Sequence, residues 1–445
     1  MILSRREAWE LASRWLREAG KGKTAALVAG ALSAVTLALL CAPALATTVG
    51  GLSTSGSGPL ALAGGRLFTP IFLTNNAGEG SPGPPVTEMQ TGLQSLAAGK
   101  RGAHTLTLDS STSGSAPPAL ATSEGRTTTA WVGSHGFQSA LVTTNGAALR
   151  TPVTVPASGA LGGYVVAIDS TGARAVLWQD SLGIRLQAVS LAGVAATALR
   201  LAPGKTSFFS LSTDERGGWW ALWIAAGRVV AADVEAAGTV APAIDLAAAP
   251  AHPVAARMLH TRLWTVLADG EGGIWVGLPG GLLHVERTGA VQRRSAHKLV
   301  LAEGERRSAL AEDFGPSGIL VRPVGRSGRS VRLRHIGSLL AIAYDASAQS
   351  TYLLSALARG RVLLTSLSKR GHVSSALVRG CPRAGTGELV AAGGLVGIAC
   401  AGRTFEASSV ETGGDFKGGS NVHYHLLRGA RLLRGETFFE GIYSY

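Results

Sequence analysis

The stretch DGEGGIWVGLPGGLLHVERTG, residues 269–289, carries the clearest structural signal in the chain. Asp269 opens a glycine-rich turn, and Trp275 lies at the start of a short apolar run. A second turn, PGG, leads into another alternating run that ends at Thr288 and Gly289. Short runs that alternate between apolar and polar residues and break at glycine are typical of antiparallel strands joined by hairpins, and not of helices.

The same arrangement recurs along the chain. Four tryptophans, spaced by 47, 45 and 52 residues, are each followed by a turn glycine and by a second glycine about ten residues later. Residues 351–378 and 394–410 keep the glycines without the tryptophan, and residues 316–337 resemble a shortened copy. A repeat of this length, built from short strands, is what a propeller blade requires. The sequence therefore predicts an all-β chain, with one β-propeller of about seven four-stranded blades over residues 59–445 and six or eight blades as alternatives.

An aspartate opens a turn before three of the tryptophans, always three residues ahead of a glycine. Aspartate at a turn accepts hydrogen bonds from its own backbone, glycine supplies a positive φ, and a large aromatic ring fills the space between stacked blades. The alternative is that the aspartates line a central channel. We predict structural roles for seven residues: Trp131, Trp178, Trp223, Trp275, Asp169, Asp214 and Asp269.

Residues 269–289 resemble the blades of propellers in the sensor regions of bacterial two-component regulators, and also those of streptogramin-lyase and NHL-type propellers. The resemblance implies the fold and little about function, since such repeats are scaffold. Sialidase-type aspartate boxes have a different spacing from STDERGGWW, residues 212–220. The lyases use a Glu-x-His pair with a metal in the central channel, whereas this chain has the reverse order, His284-x-Glu286. No catalytic residue, cofactor or metal ligand is therefore carried over.

The amino-terminal residues 1–46 predict export. Six basic residues precede an apolar run of 18 residues, and Ala44-Leu45-Ala46 provides a small-x-small cleavage site. The run is also near the minimum length for spanning a bilayer, so an uncleaved anchor formed by residues 24–46 is the alternative. Residues 47–58 read as a flexible Gly/Ser/Thr-rich tether. Both alternatives predict that the rest of the chain is secreted or lies in the cell envelope.

Cys381 and Cys400 form an even pair late in the chain. In an oxidising compartment we expect them to form a disulfide worth about 3 kcal/mol, with two separate buried thiols as the alternative. No CxxC pair is present, which argues against a zinc site.

Charge divides the chain into two halves. Residues 47–279 contain 13 basic and 13 acidic residues, whereas residues 280–445 contain 22 basic and 12 acidic ones. The excess arginines suit an anionic wall polymer, an acidic glycan or a lipid headgroup; an ordinary solvated surface is the alternative. Nucleic acid is disfavoured because the chain is predicted to be exported and aromatic residues do not interleave with the basic ones. The candidate anion-binding residues are Arg326, Arg329, Arg332 and Arg334, and the arginines expected to matter less are Arg174, Arg185, Arg216 and Arg228.

Two classes of function follow from these observations. The first is a monomeric, non-catalytic, exported propeller that binds a polymer or a partner protein at the cell wall or membrane surface. The second is a lyase or hydrolase that acts on an extracellular glycan or peptide at the central channel. Clustered carboxylates and a histidine at the channel would favour the enzyme, whereas an apolar or Ser/Thr-lined wall would favour binding.

Overall fold

The computed structural model describes most of the chain after the predicted export signal, which itself lies outside the described residues. Within the described residues, no helix is long and apolar enough to cross a membrane. The described ranges are 48–49, 60–77, 86–97, 104–111, 118–248, 266–378, 381, 387–405 and 415–444, with gaps at 124, 205, 207–208, 215, 236–237, 270, 279–280, 295–298, 304–307, 325–329 and 430.

The first four blades are each a meander of four antiparallel strands. Their strands are β2 (Ala61–Ala63), β3 (Arg66–Ala77), β4 (Val86–Ala97) and β5 (His104–Ser111) in blade 1; β6 (Ala119–Ser123), β7 (Arg126–Gly133), β8 (Gly136–Val142) and β9 (Leu149–Thr154) in blade 2; β10 (Gly163–Ile168), β11 (Arg174–Asp180), β12 (Gly183–Val189) and β13 (Leu199–Ala202) in blade 3; and β14 (Phe209–Thr213), β15 (Trp219–Ala225), β16 (Arg228–Val234) and β17 (Ile244–Ala248) in blade 4.

The remaining four blades repeat this meander, with two short 3-10 helices in their turns, η1 (Gly315–Ser317) in blade 6 and η2 (Ala358–Gly360) in blade 7. Their strands are β18 (Val266–Ala268), β19 (Ile274–Leu278), β20 (Gly281–Val285) and β21 (Val291–Arg294) in blade 5; β22 (Leu299–Glu303), β23 (Ser308–Asp313), β24 (Ile319–Val324) and β25 (Val331–Leu333) in blade 6; β26 (Ser338–Asp345), β27 (Ser350–Ala356), β28 (Val362–Ser368) and β29 (Val373–Leu377) in blade 7; and β30 (Gly387–Ala392), β31 (Leu395–Phe405), β32 (Asp415–Arg428) and β33 (Arg431–Ser444) in blade 8.

The chain is an eight-bladed β-propeller, one blade more than the sequence count of seven. The first strands of successive blades lie side by side around the ring, and β30 of blade 8 lies beside β2 of blade 1. The additional blade is residues 60–111, which lack the tryptophan that marks blades 2 to 5. A short strand, β1 (Thr48–Val49), pairs with both β3 and β33, so two residues of the predicted tether join the first and last blades.

The hydrophobic core is divided into clusters that lie between neighbouring blades. Between blades 4 and 5, Trp220 and Leu222 pack against Ile274 and Val276, all of them fully buried. Corresponding clusters fill six further blade boundaries. Because a twisted sheet cannot bury both faces by itself, stacking in a ring is what removes these side chains from water.

Three of the four predicted tryptophans occupy equivalent positions. Trp131, Trp178 and Trp223 lie on the second strand of their blades, two residues before its last paired residue, and all are buried. Trp275 lies three residues before the end of β19, which is two residues shorter than β11 and β15. A shift of one residue turns a strand side chain to the other face. Counted from the turn aspartates, Trp275 lies six residues after Asp269, as Trp220 lies six residues after Asp214. Trp275 is therefore the counterpart of Trp220, which corrects the alignment of the repeats.

A disulfide joins Cys381 to Cys400, with 5.6 Å between their Cα atoms. Cys381 lies in the connection between blades 7 and 8, and Cys400 lies on β31, and both are buried in the cluster between those blades. The bond therefore fixes the connection to the blade that follows it.

Candidate functional site

The first strands of the blades surround a central cavity of about 870 Å³. The described part of its wall consists mainly of apolar side chains, with serine and threonine hydroxyls between them. Asp345 is the one charged residue of this described wall. Representative wall residues are Leu62, Thr122, Ile168, Leu211, Val266 and Val390.

The three predicted turn aspartates follow the first strands of blades 3, 4 and 5 and define the aspartate-turn end of the ring. In each, Oδ1 accepts two backbone N–H groups of its own turn. Asp169 accepts from Thr171 and Ala173 at 2.8 and 3.0 Å. Asp214 does the same at 2.7 Å twice, and Asp269 at 2.6 and 2.9 Å. None of the three belongs to the described cavity wall, so their carboxylates hold turns and do not line the channel.

Asp345 ends the first strand of blade 7 and also connects two blades. Its Oδ1 accepts from Ser347 and Ala348, and its Oδ2 accepts the backbone N–H of Gly394 in blade 8 at 2.6 Å. Burial by itself would raise the pKa of Asp345, but these hydrogen bonds and one from the Ser347 hydroxyl outweigh it and hold the pKa below its ordinary value. The carboxylate is thus ionised, and backbone N–H groups of blades 7 and 8 already occupy both of its oxygens.

The reversed pair His284-x-Glu286 lies on the third strand of blade 5 and in the turn after it, away from the first strands that surround the cavity. His284 Nε2 lies 2.9 Å from Asp269 Oδ2, and its ring stacks on Trp275 with 4.2 Å between centroids. Glu286 accepts from Gln292 Nε2 at 2.6 Å. The contacts of His284 with Asp269 and Trp275 thus lie within blade 5 and connect its first three strands. Within the described part of the chain, no three His, Cys, Asp or Glu side chains are arranged to hold a metal ion.

A group of exposed basic residues, four arginines and one histidine, lies at the end of the ring opposite to the aspartate turns, and we call it the basic surface. It is formed by the end of β25, by the link from blade 6 to blade 7, and by the turn between β27 and β28. All five of its side chains are exposed. Its residues are Arg332, Arg334, His335, Arg359 and Arg361.

Two contacts bring the halves of the basic surface together. The Ser355 hydroxyl donates a hydrogen bond to the carbonyl of Ile336, so the link lies against β27. Gly337 has a φ of 83°, and a Cβ at this position would collide with the carbonyl oxygen of Ala356. The close approach needs glycine, and it holds the link against the end of β27, from which the turn that carries residues 359 and 361 begins.

The backbone of the basic surface is left-handed at two positions, His335 and Arg359, with φ values of 59° and 65°. Histidine adopts this region more often than most residues, whereas arginine seldom does, so Arg359 is the strained position. Such strain persists only where the surroundings impose it, and it is concentrated at binding sites. Arg332 lies over the ring of Phe314, 4.9 Å from its centroid, which fixes one cation by a cation–π contact.

Acidic neighbours do not neutralise the basic surface. Asp313 accepts backbone N–H groups from Gly315 and Leu339, and Glu312 pairs with Arg322 at 3.4 Å. Among the described residues, no carboxylate lies within ion-pair distance of the four arginines or of His335. Their charge is therefore directed to solvent or to a ligand.

The structure brings together only half of the predicted anion-binding set. Arg332 and Arg334 belong to the basic surface, whereas Arg326 and Arg329 lie outside the described residues. Sequence reasoning missed His335, Arg359 and Arg361, although the strings RLRH (residues 332–335) and ARGR (residues 358–361) carried the signal.

The arginines chosen from the neutral half are mostly engaged within the protein. Arg174 is fully buried and donates to the Thr151 carbonyl at 2.5 Å, and burial lowers its pKa to about 10. Arg185 pairs with Asp180 at 3.3 Å. Arg228 pairs with Asp245 at 2.8 Å. Exposed arginines on outer strands, such as Arg150 and Arg200, are better matched to the basic surface.

Comparison with known proteins gives the fold alone. No family model and no curated protein matches the chain. Among solved structures, it is similar to the β-propeller domain of the trilobed protease from Pyrococcus furiosus, with 10% identity, a TM-score of 0.42, and coverage of 73% of this chain and 97% of that one. It is also similar to the Cps50 (Swd1) propeller domain of Myceliophthora thermophila, with 12% identity, a TM-score of 0.36, and coverage of 64% and 90%.

A third similar structure is TolB from Acinetobacter baumannii, with 13% identity, a TM-score of 0.30, and coverage of 64% of this chain and 59% of that chain. These likenesses include a protease domain as well as other proteins, so they do not select a function. The likeness to two-component-regulator, streptogramin-lyase and NHL-type blades remains a resemblance of the repeat.

Proposed function

We propose that the chain is an exported, non-catalytic β-propeller that binds an anionic polymer of the cell envelope through its basic surface. The observation that carries the proposal is that four exposed arginines and His335 lie on the same end of blades 6 and 7 without a neutralising carboxylate among the described residues. Arginine suits phosphate and carboxylate because its planar fork donates two parallel hydrogen bonds.

Several features support binding over catalysis. The described channel wall is apolar or carries serine and threonine hydroxyls, and the carboxylate of Asp345 is occupied by backbone N–H groups. The turn aspartates serve as acceptors within their blades. Export is supported by the signal in residues 1–46 and agrees with the disulfide between blades 7 and 8, because disulfides persist in oxidising compartments.

The test compares two charge-reversal variants of the full-length protein, one with three substitutions and one with two. One variant carries Arg334→Glu, Arg359→Glu and Arg361→Glu, and the matched control carries Arg150→Glu and Arg200→Glu on outer strands of the neutral half. Binding to linear polyphosphate and to vesicles with and without anionic phospholipid is measured by titration at low and high salt. The two probes distinguish a free polyanion from a lipid headgroup.

We expect the basic-surface variant to lose at least about tenfold in affinity, and the control to lose much less, because screening over about 8 Å limits each charge to local effects. Wild-type affinity falls as salt rises, and it falls less steeply in the basic-surface variant. Equal losses in both variants, or binding that is indifferent to salt, would show that these arginines are ordinary solvated surface.

A further inference from the structure

We propose that the outer edge of blade 7, strand β29, binds an extended segment of a partner protein by strand addition. Natural sheets protect their outer edges with charged residues or proline. Among the eight outer strands of the ring, the VSSAL of β29 contains neither. Six of the other outer strands contain such a residue, and β33 of blade 8 is itself paired with β1. These residues are Asp109, Pro152, Arg200, Asp245, Arg293 and Arg332.

The backbone of β29 is oriented for such an addition. The carbonyl of His372 accepts the N–H of Ser368 at 3.0 Å, and the N–H of Val378 donates to Val362 at 2.9 Å. Since hydrogen-bonded pairs alternate along an antiparallel ladder, the even-numbered residues of β29 face β28. The odd-numbered residues direct their N–H and C=O groups away from the blade, and no other strand of the described chain pairs with this edge.

The side chains on one face of β29 are apolar and half exposed. Val373 is 47% exposed and Leu377 is 50% exposed, and Ser375 lies between them on the same face. Their partners on β28 are Leu367 and Leu363, which pack in or against the apolar cluster between blades 6 and 7. An added strand with apolar side chains at alternate positions would extend this cluster and cover Val373 and Leu377.

Basic residues beside β29 indicate that the partner segment carries acidic residues at one end. Lys369, Arg370 and His372 are exposed in the turn that precedes the strand, and none has an ion pair within the described residues. An antiparallel added strand brings its carboxyl-terminal end to this turn, so acidic residues there are favoured. A second copy of the chain is disfavoured, because its net charge is +13. The occupant we infer is an alternating apolar segment that ends in acidic residues.

The test uses the full-length protein and three fluorescent peptides in anisotropy titrations. The first is Thr-Val-Thr-Val-Thr-Val-Glu-Glu-Glu, the second has the same sequence with alternate backbone nitrogens methylated, and the third ends in three lysines. We expect the first peptide to bind, and the other two to bind at least about tenfold more weakly, since methylation removes the ladder donors. Val373→Lys weakens binding of the first peptide, whereas the matched control Val194→Lys, at a 70% exposed position in blade 3, does not.

A second variant tests the proposal without changing β29, in case Val373→Lys disrupts the folding of that strand. Lys369→Glu with Arg370→Glu changes only an exposed turn and reverses the preference toward the lysine peptide. The proposal is overturned if the methylated peptide binds equally well, or if no peptide binds at concentrations up to about 1 mM. It is also overturned if sedimentation shows a dimer of the chain that Val373→Lys dissociates, because the edge then serves self-association.

Discussion

Asp233 of blade 4 and Arg287 of blade 5 face each other across a blade boundary, with 4.0 Å between Oδ2 and Nε. Arg287 also pairs with Glu235 at 3.2 Å. Asp233 is only 4% exposed, and its Oδ1 has no hydrogen-bond partner within the described chain. Burial, reinforced by the nearby charges of Asp214 and Glu235, raises the pKa of Asp233 to about 6, and the charge of Arg287 only partly opposes this.

The contribution of Asp233 to the stability of the propeller is therefore expected to fall as pH rises through the range from about 4 to about 6. The ordinary pKa of the carboxyl is 3.8, so in that range the folded state holds a proton that the unfolded state has lost. Asp233→Asn removes the cost of ionising the group and should raise stability at pH 7.5 by about 2 kcal/mol. Urea unfolding from pH 4 to 8 measures this. Asp245→Asn, at an exposed ion pair, is the control. A profile that Asp233→Asn flattens no more than Asp245→Asn does would contradict the prediction.

Arg174 is expected to be a structural residue of the boundary between blades 2 and 3. Its guanidinium donates to Ser139 Oγ at 3.2 Å and to the Thr151 carbonyl, and Thr151 itself has a φ of 45°. Arg174→Ala leaves these buried acceptors unsatisfied and creates a cavity, so we expect a loss of about 3 kcal/mol. Chemical unfolding measures it against Arg200→Ala, which is exposed and should cost less than about 0.5 kcal/mol. Similar losses in the two variants would count against this role.

Gly337 should be less replaceable than another glycine of the same conformation. Gly337 and Gly371 have φ values of 83° and 80°, but only at Gly337 would a Cβ meet backbone, at the Ala356 carbonyl. Gly371→Ala is expected to cost about 1 kcal/mol from conformation alone, and Gly337→Ala at least about 2 kcal/mol more. Thermal unfolding separates the two costs. If the two substitutions cost the same, the close approach that builds the basic surface is not as tight as described.

The sequence predicted the part of the fold that its repeats mark. Tryptophan and glycine spacing located blades 2 to 5, and the later glycines located blades 6 to 8. Blade 1 was missed because β3 and β4 are 12 residues long and carry no tryptophan, so their pattern did not match the other copies. Trp275 was misaligned because one strand is shorter than its counterparts, and spacing alone does not reveal which residue of a strand is lost.

The basic surface was only half predictable for a different reason. Arg332 and Arg334 stand out in sequence because they are close together in an arginine-rich stretch. Arg359 and Arg361 join them only because the link between blades 6 and 7 packs on β27, a contact that depends on Gly337 and Ser355. A buried arginine such as Arg174 cannot be distinguished by sequence from an exposed one, since its acceptors come from the neighbouring blade.

The pairing of β1 with β33 brings the two ends of the described ring together in space, because Thr48 lies opposite Phe439. Blade 8 meets blade 1 through the same kind of side-by-side contact that joins every other pair, so the ring does not depend on where its backbone is interrupted. A circularly permuted protein, with these ends connected by a short linker and new ends opened between blades 4 and 5, should close into the same propeller.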